Sequence, residues 1–232
     1  MSLNISGVRN YLEKKYLGAR VRIYETRNAS GNDFSNAMDI YKKSFPPEEL
    51  APPEEIAHRI KSDPNYHLFV SKKGCDVIGM AIVKTFPNFV FGNYLATIPE
   101  YRNKDLGSKF IKFFKKRFRS RLKNSLGFIG EVDTEEGVPK NLVDSARRRQ
   151  NYYRRRFGAK SMEKINYVQP SYSNGEPVKM DLMIFFQKKE KNLKAEDVRS
   201  VIKTLYTEIY HKKPDDPLIR SLENITGEVK LR

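Results

Sequence analysis

The sequence predicts a mixed α/β fold in which a central, mainly antiparallel sheet is flanked by helices, with a C-terminal helical extension. Three observations carry that expectation. Three strand-like runs follow one another between residues 66 and 98 with turn residues between them, the pattern of an antiparallel meander. A strongly amphipathic basic stretch comes next, from Gly107 to Leu122. Strand-like and helix-like segments then alternate as far as Gln187.

Arg20 to Arg27 alternates apolar and polar residues at the two-residue period of a half-buried strand. Asp33 stands where it can cap a helix running to Ser44, whose apolar face is Phe34, Ala37, Met38, Ile40 and Tyr41, and Phe45-Pro46-Pro47 stops it. A second helix follows Pro52-Pro53, from Glu54 to Lys61, and ends where Asp63-Pro64-Asn65 announces a turn. The strands of the meander are Tyr66 to Lys72, Val77 to Phe86 and Phe89 to Ile98, with hairpin turns at Lys73-Gly74 and Pro87-Asn88. In the basic helix Phe110, Ile111, Phe113, Phe114, Phe118 and Leu122 recur at helical spacing. Leu126 to Val132 reads as a buried strand, Leu142 to Phe157 as an arginine-rich helix closed by Gly158, and Val178 to Gln187 as a further strand. After Lys188 comes a charged linker, then a helix from Ala195 to Tyr210 striped by Val198, Val201, Ile202, Leu205 and Ile209, then a terminal helix or tail after Pro217. The expected division is a main domain over residues 1–190 and an extension over 191–232. That stripe needs a surface to cover, either the main domain or a second subunit in a homodimer.

With 44 Lys and Arg against 28 Asp and Glu in 232 residues, the formal charge is +16, a field attractive to polyanions. Cofactor phosphates, RNA or an acidic acceptor fit that field, and so does a merely solvated basic surface. Cys75 is the only cysteine, so no intramolecular disulfide or cysteine-based metal cluster can form. No apolar run reaches about 18 residues and the first thirty residues lack a secretory hydrophobic stretch, so neither a membrane span nor a signal is expected and a cytoplasmic setting is the default. His58, His67 and His211 lie far apart, no phosphate-binding Gly-x-x-x-x-Gly-Lys loop occurs and no dinucleotide fingerprint occurs. Metal catalysis, nucleotide hydrolysis and hydride transfer are therefore not expected.

The most informative stretch is Leu95-Ala96-Thr97-Ile98-Pro99-Glu100-Tyr101-Arg102-Asn103-Lys104-Asp105-Leu106-Gly107-Ser108, a strand running through a tight loop into the basic helix. Backbone N–H groups at a helix N-terminus point outward, and the helix dipole adds partial positive charge, so such a junction suits a pyrophosphate. The stretch resembles the acetyl-CoA signature of the GNAT superfamily of N-acetyltransferases, a strand ending in Val-x-Pro followed by Arg or Gln, two residues, Gly, one residue, and Gly or Ala. Arg102 and Gly107 match, and Asp105 stands where the signature has its first glycine. Asp tolerates a left-handed backbone, and Lys104 beside it can offset its charge. The order of elements from Arg20 to about Gln187 is also similar to the superfamily's twisted mixed sheet of about seven strands. Asn166-Tyr167-Val168-Gln169-Pro170 looks like a stretch in bacterial members.

The resemblance implies acetyl-CoA as cosubstrate, without a metal, and direct transfer of acetyl to a primary amine. It implies that Leu95, Ala96 and Thr97 lie on a strand that bulges and splays from its neighbour to hold the pantetheine arm and the thioester oxyanion. The loop Arg102, Asn103, Lys104, Asp105, Leu106, Gly107 and Ser108 would hold the phosphates. The superfamily's Phe-Tyr-x-x-x-Gly-Phe helix supplies a tyrosine as general acid. Here the corresponding run is Tyr152-Tyr153-Arg154-Arg155-Arg156-Phe157-Gly158, in which Tyr153 is the favoured acid and Tyr152 the second candidate. The superfamily position, counted from the glycine, falls on Arg154, about 100° away around an ideal helix. Glu131 and Asp133, at period-two spacing, can face one cleft, and Glu131 is the favoured base. Glu48 and Glu49, in Phe45-Pro46-Pro47-Glu48-Glu49, resemble a Phe-Pro-x-Glu-Glu loop on the acceptor side of several relatives and are substrate-site candidates. Arg147-Arg148-Arg149 and Arg154-Arg155-Arg156 could contact phosphate. The alternative from another class is a non-catalytic CoA- or nucleic-acid-binding module on the same fold.

Overall fold

The computed structural model describes residues 20–173, 175–186 and 190–232; the expected end of a strand at Gln187 and the start of the linker at Lys188 lie outside them. In chain order the strands are β1 (Arg22–Thr26), β2 (Tyr66–Lys73), β3 (Asp76–Thr85), β4 (Val90–Thr97), β5 (Phe128–Asp133), β6 (Lys160–Ser161), β7 (Val168–Gln169), β8 (Val178–Phe185), β9 (Asn192–Lys194) and β10 (Glu228–Lys230). The helices are α1 (Asn32–Ser44), α2 (Pro53–Ser62), α3 (Leu106–Arg117), α4 (Arg119–Lys123), α5 (Val143–Phe157), α6 (Ala195–Thr204), which continues as a π turn over Leu205–Ile209, and α7 (Pro217–Arg220). The main sheet has the order β1-β2-β3-β4-β5-β8-β6, with β7 also paired to β8. All neighbours are antiparallel except β4 and β5. Among the described residues no helix is long and apolar enough to cross a membrane.

Strand alternation sorts the apolar residues onto two faces. Leu68 and Val70 of β2, with Met80 and Ile82 of β3, pack under α1 and α2 through Ala37, Met38, Tyr41, Ile56 and Ile60. Phe69, Ala81, Val83, Val90, Phe128 and Phe185 point the other way, onto Phe110, Ile111 and Phe114 of α3, Leu122 of α4 and Phe118 between them. The C-terminal segment covers the rest of the first face. Its stripe of Val198, Val201, Ile202, Leu205 and Ile209 is at most 2 % exposed and packs on Phe91, Ile129, Leu182 and Ile184. At about 1.5–3 kcal/mol for each such side chain removed from water, that stripe holds the segment firmly on the chain's own sheet. The chain then closes at the sheet edge, where Ser161 and Arg232 exchange backbone hydrogen bonds of 2.7 and 3.1 Å.

Several local expectations are corrected. Gly31, not Asp33, occupies the N-cap of α1, because the Asp33 carboxylate is taken by the Lys72 ammonium at 2.8 Å and by the Tyr24 hydroxyl. The basic helix is broken into α3 and α4 at Phe118, whose backbone leaves helical geometry as its ring packs between Phe69 and His67. The C-terminal helix is α-helical only to Thr204. The very short strands β6, β7, β9 and β10 carry too few residues for a period-two signal.

The feature that shapes the site lies in β4. Its pairing jumps from Val83↔Gly92 to Ile82↔Tyr94, which leaves Asn93 as the extra residue of a β-bulge. Pairing to β5 is limited to Val90, Gly92 and the residue between them. Gly92 is required by that contact, since a Cβ there would sit 2.6 Å from the Phe128 ring. Beyond it the two parallel strands part. Ile98 donates to Ile78 of β3 at 3.1 Å, so alternation turns the backbone groups of Ala96 and Tyr94 toward β3 and those of Leu95 and Thr97 toward the opening.

Candidate active site

One end of the opening leads to the β4–α3 loop. Pro99–Tyr101 forms a short 3-10 turn, Arg102 is extended and exposed, and Asn103 and Asp105 both have a φ of 60°. Asp105 thus takes the left-handed conformation that glycine would supply, at the N-cap of α3, and the first helical bond runs from the Lys109 N–H to the Asp105 carbonyl at 3.0 Å. The N–H groups of Leu106, Gly107 and Ser108 belong to the first turn and have no carbonyl of the helix to bind. Gly107 is not demanded by the fold, because a Cβ there would meet nothing within 4 Å. That clear space above outward N–H groups fits a phosphate approaching the backbone.

The charge of Asp105 is offset differently from the sequence expectation. The Lys104 ammonium lies over the Tyr101 ring, 5.3 Å from its centroid, whereas Arg156 of α5 sits 3.7 Å from the Asp105 carboxylate. Most of the other α5 arginines are also engaged within the chain. Arg147 grips Glu135 through two nitrogens at 2.7 and 2.5 Å, Arg149 pairs with Asp133, and Arg154 binds Ser161 at 2.7 Å and lies 3.6 Å from Asp181.

The two tyrosines of α5 have different neighbours. The Tyr152 hydroxyl bonds to that of Ser108, a fully buried residue in the first turn of α3. Tyr153 packs edge-on against Phe185, 5.3 Å between centroids, and burial raises its pKa, with Arg149 opposing. Arg154, at the superfamily's tyrosine position, faces β6 and β8 instead.

The other end of the opening is acidic. Glu131 and Asp133 lie on one side of β5, and the Pro47–Glu49 turn comes to the same place. That turn is pinned by the Tyr94 hydroxyl, which donates to the Glu49 carbonyl at 2.7 Å, and by the Tyr172 N–H, which donates to the Glu48 carbonyl at 2.9 Å. Burial, then the charges of Asp133, Glu131 and Glu48, push the Glu49 carboxyl up to about 7. Burial also raises Glu131 to about 7, against the lowering effect of hydroxyl donation from Tyr167 and Tyr210. The arrangement places a proton acceptor poised near neutrality within a tyrosine-walled acidic recess, which suits reception of a cationic group and removal of its proton. Sequence reasoning missed Tyr94, Tyr172 and Tyr210 as parts of this recess. Their signal is a chain with 13 tyrosines and no tryptophan, a composition that does not say which of them converge.

The raised carboxyls have a stability consequence. A folded-state value of about 7 against an ordinary 4.5 means that the folded state binds the proton more tightly between those values, so stability falls as pH rises through that window. Glu49→Gln is expected to raise the melting temperature by roughly a few degrees at pH 8 and by almost nothing at about pH 4. Thermal unfolding followed by circular dichroism at both pH values checks this. An equal gain at both would show that charge burial is not the cause.

The sequence matches the acetyltransferase (GNAT) family model over residues 34–158. A GNAT-family protein from Bacteroides thetaiotaomicron shares the fold with a TM-score of 0.67 at 24 % identity, covering 83 % of this chain and 99 % of its own. A GNAT-family structure from Desulfovibrio desulfuricans gives a TM-score of 0.50 at 18 % identity, with 72 % and 99 % covered. An aminoglycoside 6'-N-acetyltransferase complexed with coenzyme A gives 0.51 at 14 % identity, with 73 % and 99 % covered. No match to the chain is found among curated proteins. The family match begins in the first turn of α1, ends at the glycine that closes α5 and takes in more than half of the sequence. On that extent, the chain belongs to the GNAT family of acetyltransferases.

Proposed function

We propose that the protein is an N-acetyltransferase that passes acetyl from acetyl-CoA directly to a primary amine while both are bound. The observation that carries this reading is the opening between β4 and β5, which has the α3 N-terminus at one end and the Glu131 recess at the other. A bound acetyl-CoA supplies an acyl group activated as a thioester. The first-turn N–H groups of α3, with Arg102 and the space above Gly107, hold its phosphates. Leu95 and Thr97 turn their backbone groups into the opening, where an extended pantetheine arm can take the place of a strand and an N–H can stabilise charge on the thioester oxygen. The coenzyme A held by a structural relative supports this cosubstrate.

At the acceptor side, Glu48 and Glu49 favour an ammonium, Asp133 being engaged by Arg149, and Glu131 takes its proton so that the nitrogen lone pair can attack. Tyr153, kept protonated by burial, is the donor to the departing thiolate, with Tyr152 as the alternate beside Ser108. No covalent acyl-enzyme is needed. The test is incubation with acetyl-CoA and a panel of primary amines, following free thiol and the mass of the amine. Release of thiol matched by an acetyl increment on one amine is expected. Thiol release without any acetylated amine would refute direct N-transfer.

A further inference from the structure

We propose that Tyr210 of the C-terminal segment and Tyr167 beside β7 are positioning residues that together orient the Glu131 carboxylate, so that the segment after residue 190 completes the active site. The inference rests on the reading of Glu131 as the base. Tyr210 donates its hydroxyl to both oxygens of Glu131, at 2.8 and 2.7 Å, and Tyr167 donates to one of them. The two tyrosines are 7 % and 1 % exposed, whereas Glu131 itself is only partly buried and remains reachable from the recess.

The local structure around Tyr210 is built to aim it. A regular α-helix would carry Tyr206 and Tyr210 on one face, four residues apart. The π turn over Leu205–Ile209 changes that relation, with the Tyr210 N–H bonding to the Leu205 carbonyl at 3.2 Å. Tyr206 then stacks on Tyr167, 5.6 Å between centroids, and donates to the Val168 carbonyl at 2.9 Å, while Tyr210 turns to Glu131. The end of the turn is held by two further elements of the chain. Arg59 of α2 and the Tyr172 hydroxyl both donate to the Ile209 carbonyl at 3.3 Å, and His211 contacts Glu55 of α2 at 3.0 Å. Such support from two elements fixes a side chain closely enough to orient a catalytic group.

The ionisable groups around Glu131 are Tyr167 and Tyr210, which bond to it, and Tyr172, Tyr206 and Glu49, which interact through space. Each hydroxyl stabilises the charged carboxylate, so losing one leaves the base protonated to higher pH. The experiment uses the full chain labelled with 13C at the glutamate carboxyls, with the Glu131 signal assigned by its loss in Glu131→Gln. That signal is titrated in the wild type, in Tyr210→Phe and in Tyr167→Phe, and thiol release from acetyl-CoA is measured against pH with spermidine as the probe amine. The phenylalanine keeps the ring packing. In Tyr210→Phe the Glu131 titration is expected to move upward, with transfer roughly tenfold slower at pH 7 and close to wild type at about pH 9, and the KM for acetyl-CoA unchanged. Tyr167→Phe is expected to act in the same direction. A Glu131 titration that superimposes on the wild type in both folded variants overturns the proposal. Failure of the wild type to acetylate spermidine counts against the proposed function at this acceptor, and the carboxyl titration still decides the positioning role.

Discussion

Glu131→Gln is expected to lower the turnover of acetyl transfer by roughly a hundred- to ten-thousand-fold while leaving acetyl-CoA affinity unchanged. Glutamine keeps the shape of the side chain and an oxygen that can accept from Tyr167 or Tyr210, so the recess persists. What it cannot do is take a proton. The loss is therefore expected to shrink as the pH approaches the value at which the acceptor amine deprotonates by itself. The same variant removes a carboxylate that burial destabilises, so its melting temperature at pH 8 is expected to rise, not fall. Calorimetry with acetyl-CoA, steady-state thiol release against pH and a thermal scan together check this. A turnover close to wild type would move the base role to another group, with Glu49 next because it also sits near neutrality.

Gly107→Ala is expected to weaken acetyl-CoA binding by roughly tenfold or more without loss of stability. Gly107 has helical geometry in α3 and its missing Cβ faces open space, so alanine meets no protein atom. A helix gains up to about 1 kcal/mol from that exchange. The added methyl group stands where a phosphate approaches the first-turn N–H groups, and any loss must therefore come from the ligand side. Opposite signs for stability and affinity are the signature to look for. Unchanged affinity would place the phosphates elsewhere than on the α3 N-terminus.

The parts of the molecule legible in the sequence are those where periodicity is long and undisturbed. The meander, the apolar face of the basic helix and the stripe from Val198 to Ile209 all appear where expected, because burial on one side of a helix or strand leaves a regular pattern. Arg102 and Gly107 mark the loop through the resemblance to the family signature, and the structure places them at the head of α3. A bulge in this strand is expected from the resemblance alone, and its place at Asn93 is not legible because one extra residue only shifts parity and leaves no residue type behind. The convergence of Glu49, Glu131, Tyr94, Tyr167, Tyr172 and Tyr210 was hidden because these residues meet only through tertiary packing, and the π turn that aims Tyr210 has no composition of its own. Asp33 misled because the cap rule ignores the lysine that β2 brings to it.

Acetyl-CoA is expected to bind across the β4–β5 opening and at the head of α3. The first measurement is a calorimetric titration of the full chain with acetyl-CoA at moderate salt, with Arg102→Ala in parallel. Saturable binding with one molecule per chain, weakened several-fold in Arg102→Ala, is the expected result. Absence of saturable binding at about millimolar cofactor, beyond the usual substrate range, would overturn acetyl-CoA as the cosubstrate.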